Sequence, residues 1–422
     1  MGARARTLPT SLRVLVLTTL QQAGLTSIRF GLPVLATYWR DALHLTLAQV
    51  GVLLGAFDLG ALLLLFPLGL LADQWGERAV LAGGALFTAA MTAIVARAQS
   101  FAALVVLLAF AGLGYGSGQT AGTKAVAAAF GAAGRGLAMG IRQSGLPLGG
   151  LLAALLLPPL AARAGWHGAV IAAALLCLVP GILCWVGLPH EDPRTLRSDS
   201  LRALPSQIRA ILRDPGIRRT TGVAALLVAA QFCYQGYLAL YLVDRFGMSK
   251  AGAAGLLAAV HLGGVVGRLF WGLLSDRTFA GRRTPALGWC VGAGAAFPLA
   301  LVALPPHAPV VALGLVAFAG GALLLGWNGL YSTLIMEHAR GDRAGTAMGL
   351  SMTVLYTTTV MTPPLFGWVV DQATYTAGWL AVAGLLGAAW AEARRIPEPR
   401  PEASPEPVAA RRAGGGRPQA AR

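Results

Sequence analysis

Two charged residues lie deep inside long apolar runs of the sequence. Arg29 falls near the middle of the first run, and Asp58 falls near the middle of the second. If such runs cross a lipid bilayer, a charge at their centre costs about 2.5–3.5 kcal/mol and needs a partner or a task. Arg29 and Asp58 could form a buried ion pair that fixes neighbouring helices. Alternatively, Arg29 could bind an anion through its planar fork while Asp58 takes up and releases a proton.

Other polar side chains recur at helical spacing within the apolar runs. Arg142, next to Gln143, is a further cation a few residues inside a run, and Gln22 shares a helical stripe with Arg29. Positions 231, 234 and 237 fall on one helical face, with position 235 at its margin. The remaining polar and aromatic candidates for contact with a bound molecule are Tyr115, Gln119, Gln231, Tyr234, Gln235, Tyr237, Asn328 and Tyr331. His261 stands alone in its run, which is typical of a packing residue.

The composition favours a lipid environment for these runs. Of the 422 residues, 56% are hydrophobic and only 12% are charged, whereas an average soluble domain carries about 25% charged residues. A spanning helix needs about 20 mainly apolar residues. Stretches of that length occur at 14–38, 46–72, 79–98, 101–128, 136–161, 166–188, 219–243, 249–275, 284–304, 308–336, 344–370 and 375–393. We therefore predict an all-α membrane protein with twelve transmembrane helices.

The net charge of +16 arises from arginines that crowd into alternate loops and both tails. Because Lys and Arg mark cytoplasmic loops, this pattern predicts that both termini are cytoplasmic and that the chain lies in the cell (inner) membrane. The basic loops would then face anionic lipid, and no nucleic-acid partner is needed to explain them. No spacing of Cys and His residues indicates a metal site, and no motif indicates a nucleotide or another cofactor.

A polar break divides the chain into two similar halves. We predict an N-terminal six-helix bundle over 1–188, a cytoplasmic linker over 189–217, a C-terminal bundle over 218–396 and a disordered cytoplasmic tail over 397–422. A loop with the pattern Gly-Leu-Leu-small-Asp follows the second span and recurs 203 residues later, after the eighth. The segment that begins at Gly136 recurs 209 residues later, at Gly345. Repeated six-helix halves are a transporter plan in which the solute binds between the halves.

The first of these loops resembles the signature loop of the major facilitator superfamily, G-x-L-x-D-R-x-G-R-K. The resemblance covers residues 10–395 and implies a two-bundle fold that works by alternating access. Gln74 and Glu77 replace basic residues of the signature. The resemblance implies gating roles for Gly69, Asp73, Gly76, Arg78, Gly272, Asp276 and Arg277.

A second motif, Gly145-Leu-Pro-Leu-Gly149-Gly150, is similar to the G-P-x-x-G-G motif of that family's antiporters. It favours exchange or efflux, whereas the absence of an Arg from the fourth span argues against the usual coupling of proton-driven exporters. In the resembled family the first, fourth, seventh and tenth helices line the cavity. Most of the polar stripes described above fall on those four helices.

We therefore predict a monomeric secondary transporter that moves a small organic solute by proton coupling or by exchange against a counter-solute. An anion is the class of solute that Arg29 and Arg142 would suit, and Asp58 is the predicted proton site. The chain is predicted not to be an enzyme. The alternative is a proton-coupled exporter of drugs, and a transporter-like membrane sensor or a membrane enzyme is a remote alternative.

Overall fold

The structure is a computed structural model, and it describes residues 9–130, 132–190, 208–339 and 343–399. Within these ranges the chain forms α-helices joined by short connections, and it forms no β-strand. The helices of the first half are α1 (Thr10–Leu43), α2 (Leu47–Trp75), α3 (Glu77–Val95), α4 (Phe101–Leu113), α5 (Gly116–Ala129), α6 (Ala132–Gln143) and α7 (Gly145–Gly187). The helices of the second half are α8 (Pro215–Phe246), α9 (Lys250–Arg277), α10 (Arg283–Ala303), α11 (Val310–Leu324), α12 (Asn328–Ala339), α13 (Ala344–Gln372) and α14 (Tyr375–Ala393).

Each of the twelve predicted spans lies on one of these helices or on a consecutive pair. Three spans are interrupted, because α4 and α5 meet at Gly114–Tyr115, α6 and α7 meet at Ser144, and α11 and α12 meet across residues 325–327. Helix α7 holds parts of two spans, since Ala164 and Gly165 leave the helical conformation in its middle. In the described residues, eight segments are long and apolar enough to cross a membrane, and Leu137–Gly187, with 51 residues, has the length of two spans. The chain is a multi-pass α-helical membrane protein.

Polar caps fix where the spans begin and end. At the start of α2, the Thr46 hydroxyl accepts from the Gln49 amide at 3.2 Å, and the Gln49 side chain accepts from the Thr46 amide at 2.9 Å. This reciprocal pair satisfies amides that the first turn of a helix leaves free. Helix α8 begins after Asp214, whose carboxylate accepts from the Ile217 amide at 2.8 Å. It ends at Gly247, which has φ 63° and closes the helix in the left-handed conformation.

The two halves repeat the same close helix crossing. In the first half α2 and α4 touch at two glycines: a Cβ at Gly60 would collide with the carbonyl oxygen of Ala109, and one at Gly112 with that of Phe57. The equivalent contacts between α9 and α11 are Gly263 against the carbonyl of Phe318 and Gly321 against that of Val260. The equivalent positions lie 203 residues apart on α2 and α9, and 209 apart on α4 and α11. These are the offsets of the two repeated sequence motifs, so the sequence repeat is also a repeat of backbone packing.

The predicted linker and tail lie largely beyond what the structure describes. Residues 191–207 and 400–422 fall outside the described ranges, and within the predicted linker residues 208–213 are described as helical. The division at 189–217 and the disorder of the tail therefore stay predictions.

Candidate functional site

Arg29 and Asp58 form an ion pair near the middle of the bundle. The Arg29 Nε donates to Asp58 Oδ1 at 2.7 Å, and the two side chains are 10% and 4% exposed. Arg29 Nη1 reaches the Tyr115 hydroxyl at 3.4 Å, at the break between α4 and α5. Because the ion pair uses Nε, the terminal amino groups of Arg29 retain most of their capacity to donate. The ion pair that the sequence suggested is therefore present, and it does not saturate the guanidinium.

Four aromatic rings surround the same guanidinium. Arg29 Cζ lies 5.7 Å from the ring centroid of Phe30 and 5.2 Å from that of Tyr115, both in the first half. It lies 4.5 Å from the ring of Phe232 on α8 and 5.4 Å from the ring of Tyr356 on α13. A cation over an aromatic face is attracted by the ring quadrupole. Arg29 thus lies where the two halves meet, held by charge on one side and by rings of both halves around it.

Sequence reasoning did not find Phe232 and Tyr356. An aromatic residue in an apolar run carries no signal of its own, and only the packing of α8 and α13 against α1 brings these rings to Arg29. The sequence shows which residues share a face of one helix. It does not show how each helix is rotated relative to its neighbours.

A small cavity of about 20 Å³ lies beside the ion pair. Its lining includes Arg29 and Asp58 from the first half and Gln235 and Phe232 from the second. Such a volume has room for about one water molecule. The halves are therefore closed around Arg29 in this conformation, and a larger molecule reaches the guanidinium only when they separate.

Arg142 belongs to a different polar cluster, inside the first half. Its Nη2 donates to Gln22 Oε1 at 3.0 Å and to the carbonyl oxygen of Gly118, and its Nη1 donates to the Thr123 hydroxyl at 3.3 Å. The side chain is fully buried. Among the described side chains, no carboxylate pairs with it. Arg142 therefore joins α6 to α1 and α5 by hydrogen bonds within the first half, and its guanidinium does not lie at the contact between the two halves. Its neighbour Gln143 is exposed, and Gln119 is partly buried.

The predicted stripe on α8 divides between the seam and the core of the second half. Gln231 and Gln235 are hydrogen-bonded to each other at 3.1 Å, and Gln235 lines the cavity at Arg29. Tyr234 turns away: its hydroxyl donates to the Ala317 carbonyl at 3.0 Å, and its ring packs on Phe297. The sequence prediction assumed that all residues of this helical face line the cavity. In the structure part of the face lies at the contact between the two halves, and part lies in the core of the second half.

The candidates on the tenth span, Asn328 and Tyr331, lie within the second half and do not line the cavity at Arg29. The Tyr331 hydroxyl lies 2.6 Å from the Ser351 hydroxyl, which joins α12 to α13. The Asn328 amide donates to the Leu325 carbonyl at 3.2 Å and so satisfies a backbone group freed by the break between α11 and α12. The structure does not bring either residue into the cavity at Arg29.

At one end of the bundle the two halves are joined directly. We call it the outer end: it carries the α1–α2, α8–α9 and α13–α14 connections, which the arginine pattern predicts to be extracellular. Asp371 of α13 accepts from the backbone amides of Leu47 and Ala48, at 3.0 and 2.8 Å. A carboxylate at the N-terminus of α2 suits the positive end of that helix. Arg40 also pairs with Asp244 at 2.5 Å across the halves.

Close packing completes this contact, which we call the outer seam. The Tyr237 hydroxyl lies 2.9 Å from the Leu47 carbonyl and 2.7 Å from the Pro363 carbonyl. A Cβ at Gly367 would collide with the Leu47 carbonyl oxygen. Gly349, near the other end of α13, makes no such contact, since a Cβ there would meet nothing within 4 Å. The halves are thus in close contact at the outer end.

The loops with predicted gating roles lie at the opposite end of the bundle. Gly76 ends α2 with φ 81°, and Arg78 lies 4.8 Å from the ring centroid of Trp185. Gly69 accepts from Lys124 through its carbonyl at 2.9 Å. The side chain of Asp73 lies outside the described part of the structure, so its predicted role stays a prediction.

In the second copy of this loop, Asp276 pairs with Arg283 at 2.5 Å, and Arg277 is exposed. A Cβ at Gly272 would meet nothing within 4 Å. Asp276 therefore holds its own loop together in this conformation, and its gating role also stays a prediction.

The repeat places His261 at the position of α9 that corresponds to Asp58 on α2, 203 residues earlier. The His261 ring lies 5.2 Å from the ring of Phe30 and packs onto Gly150, where a Cβ would collide with it. The last glycine of the antiporter-like motif therefore allows the first half to approach α9 closely. Adding the repeat offset of 203 residues to position 58 gives position 261. The sequence alone could therefore have identified His261 as the counterpart of Asp58 in the second half.

These observations define the class of protein: a helical membrane protein of two repeated halves, with a cationic site enclosed between them. The family model of the Major Facilitator Superfamily matches residues 18–358. An uncharacterized MFS-type transporter of Mycobacterium tuberculosis is 31% identical over 335 residues, which is 79% of this chain and 73% of that protein. The chain therefore belongs to the major facilitator superfamily and is a membrane transporter.

More distant relatives have names that state a solute. The hexuronate transporter of Bacillus subtilis is 23% identical over 378 residues, and a probable sulfoacetate transporter of Cupriavidus necator is 27% identical over 385 residues. Each alignment covers 85% of this chain and 87% of the relative. Among solved structures, a nucleoside transporter matches 92% of this chain and 100% of its own with a TM-score of 0.77, at 15% identity. This last likeness supports the fold alone.

Proposed function

We propose that this transporter carries a small organic anion and binds it at Arg29, between the two halves. The observation that carries the proposal is the state of the Arg29 guanidinium. Asp58 neutralises it through Nε at 2.7 Å, while rings of both halves enclose it. A planar fork with free donors is suited to a carboxylate. Because the site has walls from both halves, a bound anion is released to one side or the other when the halves rock, which is alternating access.

The names of two relatives support an anion. Hexuronates and sulfoacetate are anionic at neutral pH, and the proteins that bear those names align with most of this chain. Arg29 is a better candidate than Arg142 because Arg142 is fully buried within the first half and its Nη1 and Nη2 groups already donate to Thr123, Gln22 and Gly118. The proposed contacts at the seam are therefore Arg29 and Gln235, with the remaining predicted residues acting through packing.

We further propose that Asp58 couples the solute to protons and that both termini are cytoplasmic. Asp58 is the carboxylate that faces Arg29, so an anion that takes over the guanidinium leaves Asp58 free to take up a proton. The end of the bundle opposite the outer seam would then face the cytoplasm, as the arginine pattern predicts.

A second candidate is a sensor that binds its ligand without moving it. A relative in Salmonella typhimurium, 24% identical over 325 residues, is named a membrane sensor protein. Binding alone does not separate a sensor from a transporter, since both would use the same site. Movement of solute across a sealed bilayer separates them.

The proposal predicts which compounds stabilise the purified protein. In a thermal-shift screen of organic acids, neutral sugars, amino acids and cationic drugs, organic acids are expected to raise the melting temperature, because a ligand that binds only the folded state stabilises it. In Arg29→Gln the same acids are expected to give no shift.

The matched control for that screen is Arg97→Gln, in the connection between α3 and α4, which should behave as the unchanged protein. Stabilisation by cationic drugs alone, with no dependence on Arg29, would contradict the proposal and favour the exporter.

A further inference from the structure

The cavity beside Arg29 has walls of two kinds. Three of its lining residues are polar: Arg29, Asp58 and Gln235. The others are apolar and include Phe30, Leu54, Phe232 and Pro363. Asp58 already accepts a hydrogen bond from Arg29. Whether Gln235 presents its NH₂ group or its oxygen to the cavity therefore decides whether this site binds a hydrogen-bond acceptor or a donor of a ligand.

A chain of hydrogen bonds sets the orientation of the Gln235 amide. The Trp327 indole, which can only donate, donates to Gln231 Oε1 at 3.2 Å and to the Leu324 carbonyl at 2.9 Å. Gln231 therefore presents its NH₂ group on the other side, and Nε2 donates to Gln235 Oε1 at 3.1 Å. Reversing either amide would oppose two donors or two acceptors. Gln235 must consequently direct its own NH₂ group away from Gln231.

That NH₂ group is left without a partner. Gln235 is 4% exposed, and its Nε2 is buried with no hydrogen-bond acceptor among the described residues. A buried donor that stays unpaired is unfavourable, so such a group takes an acceptor from outside the chain, a water molecule in the empty site and a ligand in the occupied one. The site thus offers one charged donor from the first half, Arg29, and one neutral donor from the second half, Gln235.

We infer that Gln235 is the second-half ligand of the transported anion, and that the anion is a small monocarboxylate with an apolar body. This inference rests on the proposed function. A carboxylate has two acceptor oxygens, so it can receive from Arg29 and Gln235 together and join the two halves. One carboxylate is enough, because Arg29 carries one positive charge and is the one cation among the residues that line this cavity.

The apolar walls determine the rest of the ligand. A flat hydrocarbon body can pack on Phe232 and Phe30, whose rings already surround the guanidinium. A sugar acid would bring several hydroxyls against these walls. Each hydroxyl without a partner would weaken binding by about tenfold. The site therefore selects by excluding hydroxyls as well as by binding the charge.

The test uses the purified full chain and two probes, 3-phenylpropionate and glucuronate, in binding titrations. The unchanged protein is expected to bind 3-phenylpropionate at least about 100-fold more tightly than glucuronate. Gln235→Leu keeps the volume and removes the donor, and it is expected to weaken binding of 3-phenylpropionate by about 10- to 100-fold. Gln99→Leu, the same change in an exposed connection, is the matched control and should leave binding unchanged. If Gln235→Leu does not give folded protein, the isosteric Gln235→Glu is measured, and its carboxylate is expected to cause a greater loss.

Two results would overturn the inference and leave the proposed function intact: equal or tighter binding of glucuronate, or unchanged binding of 3-phenylpropionate in both Gln235 variants, while Arg29→Gln still abolishes anion binding. Anion binding that is indifferent to Arg29→Gln would instead overturn the proposed function, and this inference with it.

Discussion

Replacing Asp58 by asparagine is expected to abolish accumulation of the organic anion driven by a proton gradient, while binding of the anion persists or tightens. The amide cannot take up a proton, so it cannot couple the two fluxes. It also no longer competes with the solute for Arg29, which Asp58 now holds at 2.7 Å. Removing one partner of a buried charge pair typically changes the free energy of the interaction by about 2–5 kcal/mol. This corresponds to a change of at least about 30-fold in the equilibrium constant. The measurement is uptake into proteoliposomes with an imposed pH gradient, together with a binding titration.

The matched control for this prediction is Asp41→Asn. Asp41 also pairs with a basic residue, Lys250, but its side chain is 65% exposed at the outer end. An exposed pair contributes only about 0–1 kcal/mol, so uptake should be nearly unchanged. If Asp58→Asn still concentrates the anion when a pH gradient is imposed, Asp58 is a structural partner of Arg29 and the coupling site lies elsewhere.

Replacing Gly367 by valine is expected to prevent the outer seam from closing and to reduce transport by about 10- to 100-fold. A side chain at position 367 would collide with the Leu47 carbonyl oxygen and with the Tyr237 hydroxyl. The Leu47 carbonyl is a backbone group of α2 and cannot move aside without displacing that helix, while the Tyr237 hydroxyl is held by hydrogen bonds to the Leu47 and Pro363 carbonyls. The conformation that is closed at the outer end becomes unfavourable, and the protein should stay open at that end.

The opening can be read from a reporter cysteine. Leu54, which is 8% exposed beside the cavity, is replaced by cysteine and treated with a membrane-impermeant maleimide added from the outside. Labelling is expected to be slow in the otherwise unchanged protein and faster in Gly367→Val. Asp371→Asn should shift labelling in the same direction by less, since a carboxylate at a helix N-terminus contributes about 0.3–2 kcal/mol.

Gly384→Val is the control for Gly367→Val, because a Cβ at Gly384 of α14 would meet nothing within 4 Å. It should transport and label like the parent. Wild-type transport and slow labelling in Gly367→Val would show that the outer seam does not have to close during the cycle.

The spans were predictable from the sequence because burial in lipid imposes one simple requirement, a run of apolar residues of fixed length. The twelve predicted stretches coincide with helices or helix pairs even where α7 runs through a non-helical point at Gly165. The repeat was predictable too, since the offset of 203 residues that relates the two loops also relates Gly60 to Gly263. Local chemistry and regular spacing carry this information.

The site was only partly predictable, for a physical reason. Arg29 and Asp58 were identifiable because a charge in an apolar run is expensive. Which face of each helix meets the seam depends on rotation and crossing angle, which single-helix spacing does not contain. Tyr234 and Gln235 are adjacent in sequence, yet one hydroxyl enters the core of the second half and one amide lines the cavity. Asp371 was missed because its partners are backbone amides, which every residue type provides.

Solute counterflow in proteoliposomes tests the central claim, that this chain moves an organic anion through a site at Arg29. Vesicles containing the purified protein are loaded with an unlabelled monocarboxylate such as 3-phenylpropionate, and entry of the labelled acid is followed with no ion gradient. We predict saturable exchange that depends on the internal acid and is lost in Arg29→Gln, while Arg97→Gln exchanges normally. Binding of organic acids without any exchange would contradict transport and favour a sensor, and exchange that survives in Arg29→Gln would place the anion site elsewhere.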